Sequence, residues 1–214
     1  MRWRIAAALS LVAGLLAFAG YVFWLQDWKY SLPTPKPQGL QQVAIGSAPS
    51  LPPAIARLRR QAGGRPIFLH FFNPDCPCSR FNEDHVQALV RAHRGTAAFV
   101  AIVEPEGGEL ARDAAERAAR DFGMEAILDA DGSIGRALGV YSTPQAVILN
   151  ADGTLFFRGN YNLSRYCADA KTEYARLALE HAIARTPYTA PEGATVAYGC
   201  ELPANLHAGA GGAQ

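Results

Sequence analysis

Four cysteines, at positions 76, 78, 167 and 200, are the side chains of this chain best suited to chemistry. Two of them flank a proline in Cys76-Pro77-Cys78-Ser79, where an apolar, aromatic run from Pro66 to Phe72 gives way to a segment of helical character, Ser79 to His93. Proline is favoured at the first helical position, so Pro77 there makes Cys76 the N-cap. An N-cap side chain meets unpaired backbone N–H groups and the positive end of the helix dipole, and both favour a thiolate over a thiol. Asp75 works against this and Arg80 works for it. Cys76 is the candidate nucleophile, expected in a solvent-reachable niche, and a thiolate so placed suits disulfide exchange or soft-metal binding.

Compartment decides whether such thiols meet oxidant. Ile5 to Leu25 carries no charge over 21 residues, follows Arg2 and Arg4, and precedes Asp27 and Lys29. At about 1.5 Å per residue it spans a hydrocarbon core of about 30 Å. Ala17-Phe18-Ala19 offers a signal-peptidase site. The apolar run nonetheless continues past it, and Trp24, Trp28 and Tyr30 resemble an interfacial belt, so an uncleaved anchor is the reading adopted. The positive-inside rule puts residues 1–4 in the cytoplasm as a stub and everything beyond the span of 5–25 on the far side, in a bacterium the periplasm. All four cysteines lie there.

The remaining chain divides by composition. Residues 26–53 are rich in Pro, Gly, Gln and Ser and read as an extended spacer. Residues 54–185 carry the folded domain, and 186–214 form a Pro/Gly/Ala-rich tail held at most by Cys200. Within the domain the pattern predicts helix 54–61, strand 66–72, helix 79–93, strand 97–103, helix 109–122, strand 126–128, a helical turn 133–138, strand 144–149, a turn at Ala151-Asp152-Gly153, strand 154–158 and helix 171–184. That order implies an α/β fold, a mixed sheet flanked by helices and preceded by one transmembrane helix. The 20 Lys+Arg and 19 Asp+Glu are scattered, which argues against nucleic acid as partner.

Three features, spread over about residues 60 to 185, make the chain resemble the thioredoxin-like superfamily, in particular the membrane-anchored redoxins of bacterial periplasms. They are the cysteine at the strand-to-helix junction, Ser142-Thr143-Pro144 leading into Gln145 to Leu149, and the turn-and-hairpin run Leu128 to Gly132, Leu138 to Tyr141, Asn150 to Gly153 and Phe157 to Gly159. The resemblance implies a thiol–disulfide oxidoreductase acting on protein thiols or disulfides without an organic cofactor, with Pro144 as the cis-proline facing the cysteines. Two departures stand out. The family's second cysteine would fall at Ser79 but sits at Cys78, and an i, i+2 disulfide across Pro77 would be strained and readily reduced. His70 stands where the family often carries a buried acid or amide; it is either a proton acceptor for the resolving thiol or a packed strand residue.

The family topology also brings the chain after Gly159, and with it Cys167, toward Cys76 and Cys78. The favoured pairing is Cys76 with Cys78 as the active pair and Cys167 with Cys200 as a structural tie; a relay in which Cys167 resolves Cys76 or Cys78 is the alternative. Two inert disulfides, worth about 2–4 kcal/mol each, form a third arrangement. Other functions on the same fold are a Cu(I) chaperone for oxidase assembly, using Cys76 and Cys78 with Cys167 or a histidine, and a thiol peroxidase. The first lacks the family's distal histidine and a methionine cluster; the second lacks a Thr or Ser at Asn73. His85 and His93 read as boundary residues, and Glu104, Glu106 and Glu109 as a solvated acidic turn.

Overall fold

The computed structural model describes residues 2–28, 32–105, 110–163 and 169–203. Two units result, residues 1–32 and 33–214. The first is helix α1 (Arg2–Phe23) with a π-helical continuation, Trp24–Trp28. Its stretch Arg2–Gln26 is the one helix among the described residues long and apolar enough to cross a membrane, as either an anchor or a signal sequence.

The second unit contains a five-stranded sheet in the order β3-β2-β1-β5-β6, formed by β1 (Ile67–Phe72), β2 (Ala98–Val103), β3 (Glu125–Leu128), β5 (Gln145–Leu149) and β6 (Leu155–Gly159). β1 is central: it pairs parallel with β2 and antiparallel with β5, and every one of its six residues is buried. That explains its unbroken apolar sequence, since a strand covered on both faces has no reason to alternate. Phe68, Phe72, Ile148 and Phe157 point to the face covered by α4 (Glu83–His93), α5 (Leu110–Phe122) and α7 (Tyr174–Ala184). Ile67, Leu69, Phe71, Val147 and Leu149 point to the opposite face, under α2 (Pro53–Gln61) and α6 (Ser133–Leu138). The expected mixed sheet with helices on both faces is the observed fold, and with a cis Thr143–Pro144 bond before β5 it is thioredoxin-like.

Two departures from the expected elements bear on the site. The helix predicted over 79–93 is broken into a single turn, α3 (Pro77–Arg80), and α4. Asn82 causes the break: its Nδ2 donates to the Cys78 carbonyl at 3.4 Å and its N–H bonds back only to Ser79, so the turn tightens instead of propagating. The second departure is the order of the two low-complexity stretches. Part of the stretch expected as an extended spacer lies on the domain, with Gly46 N–H donating to Leu155 and Thr34 N–H to Ala197. The expected tail forms α8 (Glu192–Thr195) and β7 (Cys200–Glu201), which pairs antiparallel with β4 (Ser142–Thr143). Leu202 then enters the core beside Ile134 and Leu138, and that burial holds the otherwise weakly structured segment in place.

Candidate functional site

The site assembles where three chain segments converge. β1 delivers Cys76 as N-cap and Pro77 at the first position of α3, as the sequence predicts. β4 presents Thr143, whose carbonyl oxygen lies 3.7 Å from Cys76 Sγ. β7 brings Cys200 opposite Thr143 in register. Cys76 and Cys200 form a disulfide, with Cα atoms 6.1 Å apart across a separation of 124 residues.

This pairing replaces both disulfides expected from the sequence. Cys78 stays outside the bond, a buried thiol, and the sulfurs of Cys76, Cys78 and Cys200 all lie within 4.8 Å of one another. Cys200 is already bonded to Cys76 and so is not tied to Cys167; Cys167 itself lies outside the described residues, as do Glu106 and Glu109. The niche also differs from expectation. Cys76 is 2% exposed, because β7 lies over it, and the partly exposed end of the disulfide is Cys200. Since α3 is one turn long, its dipole contributes little, and the Cys76 side chain makes no capping hydrogen bond to the N–H groups of that turn.

Thr143 organises the surroundings through its hydroxyl. Oγ1 donates to the Phe71 carbonyl at 3.1 Å, accepts from Asn73 N–H at 3.2 Å, and meets Ser79 Oγ at 3.2 Å. Ser79, at the position where the family's second cysteine would stand, is thus a fully buried hydrogen-bonding group that fixes α3 against the cis-proline strand. Asn73 is likewise structural, its Oδ1 accepting from Asp75 N–H. Thr34 continues the network outward: its Oγ1 lies 3.0 Å from Ser142 Oγ and 3.4 Å from the Gly199 carbonyl.

His70 lies within β1, fully buried, its Nδ1 sharing a 2.7 Å hydrogen bond with the Tyr161 hydroxyl. Phe72, Phe122 and Tyr161 surround the ring at centroid distances of 5.6, 4.8 and 5.5 Å. Desolvation lowers its pKa from 6.5 to about 3. Such a ring is too weak a base to take a proton from a thiol near neutrality, so the acid–base role gives way to the packed-strand reading. Burial lowers His85 in the same direction. Glu104, expected in a solvated turn, is 1% exposed instead, because its N–H extends the strand edge to the Phe72 carbonyl and carries the residue inside.

The His70 burial has a stability consequence. Between pH 6.5 and about 3 the unfolded chain binds a proton at this residue that the folded chain does not, so stability is full above 6.5 and falls as the pH drops toward 3. A difference of this size is on the order of 4–5 kcal/mol over the whole window. Urea unfolding of the detergent-solubilised chain at pH 7 and pH 4.5 is expected to show about 2–3 kcal/mol of that loss, and His70→Gln should show a smaller change between the two pH values. An identical pH dependence in the variant would remove His70 as the cause.

Comparison with known proteins agrees with the fold. A hypothetical protein from Sinorhizobium meliloti 1021 superposes with a TM-score of 0.60 at 15% identity, over 76% of this chain and 96% of that one. An uncharacterized conserved protein from Geobacillus kaustophilus gives 0.58 at 18% identity, over 80% and 97%. A secreted disulfide oxidoreductase from Mycobacterium tuberculosis gives 0.40 at 20% identity, over 57% and 82%. For the first two, at these identities, the likeness is one of fold. No curated protein matches the sequence. Residues 47–201, which hold the five strands of the sheet, the Thr143–Pro144 bond and all four cysteines, match one family model, and the chain therefore belongs to the family described as domain of unknown function DUF6436.

Proposed function

We propose that the chain is a membrane-anchored thiol–disulfide oxidoreductase of the bacterial periplasm whose redox pair is Cys76 and Cys200. The observation that carries this reading is the disulfide between them beside Thr143–Pro144, with a third sulfur, Cys78, in reach. In the reduced chain the Cys76 thiolate attacks one sulfur of a client disulfide, forming a Cys76–client mixed disulfide and expelling the other client sulfur as a thiolate. The Cys200 thiolate then attacks Cys76 Sγ, which closes the Cys76–Cys200 bond and releases the second client thiolate. Two electrons pass to the client, which takes up two protons from water, and the chain ends in the oxidised form. The reverse sequence oxidises a client dithiol, and the direction follows the relative potentials. The apolar helix α1 supplies the anchor, and the oxidising compartment beyond it supplies clients with disulfides.

The reading assigns Cys200 as the resolving residue, which a trapping experiment tests. In membranes from cells expressing Cys200→Ser, mixed disulfides between Cys76 and envelope proteins should accumulate, resolved on non-reducing gels and lost on addition of Cys76→Ser. Cys78→Ser should accumulate far fewer. Absence of adducts in the Cys200→Ser chain would count against exchange chemistry.

A second reading has one observation in its favour. After reduction, the three sulfurs within 4.8 Å of one another, from Cys76, Cys78 and Cys200 in place of the Cys167 set expected from the sequence, form a donor group suited to Cu(I). Anaerobic Cu(I) titration of the reduced chain, scored together with exchange activity, separates the two: stoichiometric binding lost in Cys78→Ser, without exchange, would favour a copper carrier.

A further inference from the structure

The residues that lie across Cys76 are the chain's own. β7 forms a strand beside β4 with Cys200 opposite Thr143 and Glu201 opposite Ser142, and the Leu202 N–H donates to the Tyr141 carbonyl at 3.2 Å. The arrangement is that of a polypeptide docked on a strand edge and disulfide-linked to the nucleophile, the state that an exchange reaction passes through with any client. On the proposed exchange function, to which this adds the client class, the tail and a client compete for one track.

The track has side-chain requirements that can be read from its present occupant. Gly199, directly before the cysteine, has φ +130°, and a Cβ built there would lie 2.3 Å from the Thr143 carbonyl oxygen, a backbone atom held between the site and the cis-proline. Only glycine fits at that position without displacing the strand. Two residues after the cysteine, Leu202 is 2% exposed and sits among Ile134, Leu138 and Val140. Its terminal carbon lies 3.4 Å from where a Cβ on Gly135 would stand, so α6 is open on this side to receive it. The intervening Glu201 is partly exposed. The outer side of the strand is closed by the Pro33–Tyr198 bridge and the Thr34 contacts.

We propose that the β4 edge is the client-docking track and that Gly199-Cys200-Glu201-Leu202 is a tethered copy of what it recognises: an extended, disulfide-bearing segment with glycine immediately before the cysteine and an apolar residue two positions after it. A client enters by replacing these four residues on Ser142–Thr143, and Cys200 resolves the product when the tail returns. The clients are polypeptides; a low-molecular-weight disulfide has nothing to pair with the strand edge.

The test uses the full-length chain in detergent, Cys200→Ser, reduced and with Cys76 available. The probe is a peptide of sequence Ala-Tyr-Gly-Cys-Glu-Leu-Pro, matching residues 197–203, with its cysteine in a mixed disulfide with glutathione. Cys76 attacks the peptide sulfur, the peptide becomes linked to the chain and glutathione leaves as the thiolate, so no net oxidation occurs. Capture is followed by mass. The expected result is capture about tenfold faster than for the same peptide with valine in place of glycine, a difference equivalent to about 1.4 kcal/mol, and also faster than for a peptide with aspartate in place of leucine. A second chain, Gly199→Val combined with Cys200→Ser, should capture the glycine peptide faster still, since its own tail no longer fits; its melting curve reports whether it remains folded, and the peptide comparison in the first chain stands without it. Equal rates for the three peptides, with glutathione disulfide also reacting at Cys76, would overturn the docking proposal and leave the exchange function intact. No reaction with any disulfide would remove both.

Discussion

Cys76→Ser is expected to abolish disulfide exchange and to lower the melting temperature of the domain by about 10–20 °C relative to the oxidised wild type. The loss of activity follows from the chemistry, since Cys76 is the sulfur common to the mixed disulfide and to the resting bond. The stability loss follows from topology. The Cys76–Cys200 bond closes a loop of 124 residues, nearly the entire domain, and on the chain-entropy account such a loop destabilises the unfolded state by about 5 kcal/mol. The same coupling sets the redox poise: native packing that favours the bond by about 5 kcal/mol lowers its reduction potential by about 100 mV relative to the unfolded chain. Reduced wild type, Cys76→Ser and Cys200→Ser should therefore melt together, below oxidised wild type. Cys78→Ala should keep the Cys76–Cys200 peptide in a non-reducing digest. A Cys76–Cys78 peptide in the wild-type digest, or equal melting of oxidised and reduced chains, would contradict this pairing.

How much of this was legible beforehand depends on the range of the interaction that fixes each element. β1, β2 and β5 announce themselves through apolar runs because burial on both faces acts along the whole strand, and β6 through the Asp152-Gly153 turn before it. Cys76 as N-cap and the cis Thr143–Pro144 bond were likewise readable, one from helix-start chemistry and the other from the family resemblance. The break at Asn82 was not, since its cause is a side chain reaching a carbonyl four residues back, against a periodicity that runs smoothly through it. His70 could not be assigned from type alone: its neutrality comes from Phe72, Phe122 and Tyr161, brought together from three elements. Cys200 was the largest miss. It pairs through a two-residue strand 57 positions beyond Thr143, in a segment whose composition reads as loose chain. The available signals were local and small: glycine directly before the cysteine, an apolar residue two after it, and Pro33-Thr34 with a spacer-like composition that in fact clamps residues 197–199.

Gly159→Val is expected to disconnect that tail from the site without touching a sulfur. Gly159 ends β6, and a Cβ built on it would lie 2.1 Å from the Ala194 carbonyl oxygen and 3.1 Å from its carbonyl carbon. The neighbour is backbone and cannot rotate away. That carbonyl also accepts from Asn160 N–H at 2.8 Å, while Asn160 Nδ2 donates to the Gly193 and Val196 carbonyls at 3.1 and 2.7 Å, so α8 is docked on the end of the sheet through β6. Ala194 and Ala197 are fully buried, and the four residues from Val196 to Gly199 are all that separate α8 from the disulfide. A side chain at 159 must push α8 outward, and the strand pairing of Cys200 with Thr143 must then stretch or slip. The expected result is a chain whose core still melts cooperatively but in which a substantial fraction of Cys76 and Cys200 is found as thiols under a redox buffer that oxidises the wild type fully, since the effective concentration of one sulfur at the other has fallen. Gly159→Ala should give the same effect at smaller size. Wild-type disulfide content in Gly159→Val, measured by alkylation and mass, would mean that α8 does not position Cys200, leaving Leu202 and Thr34 to hold it alone.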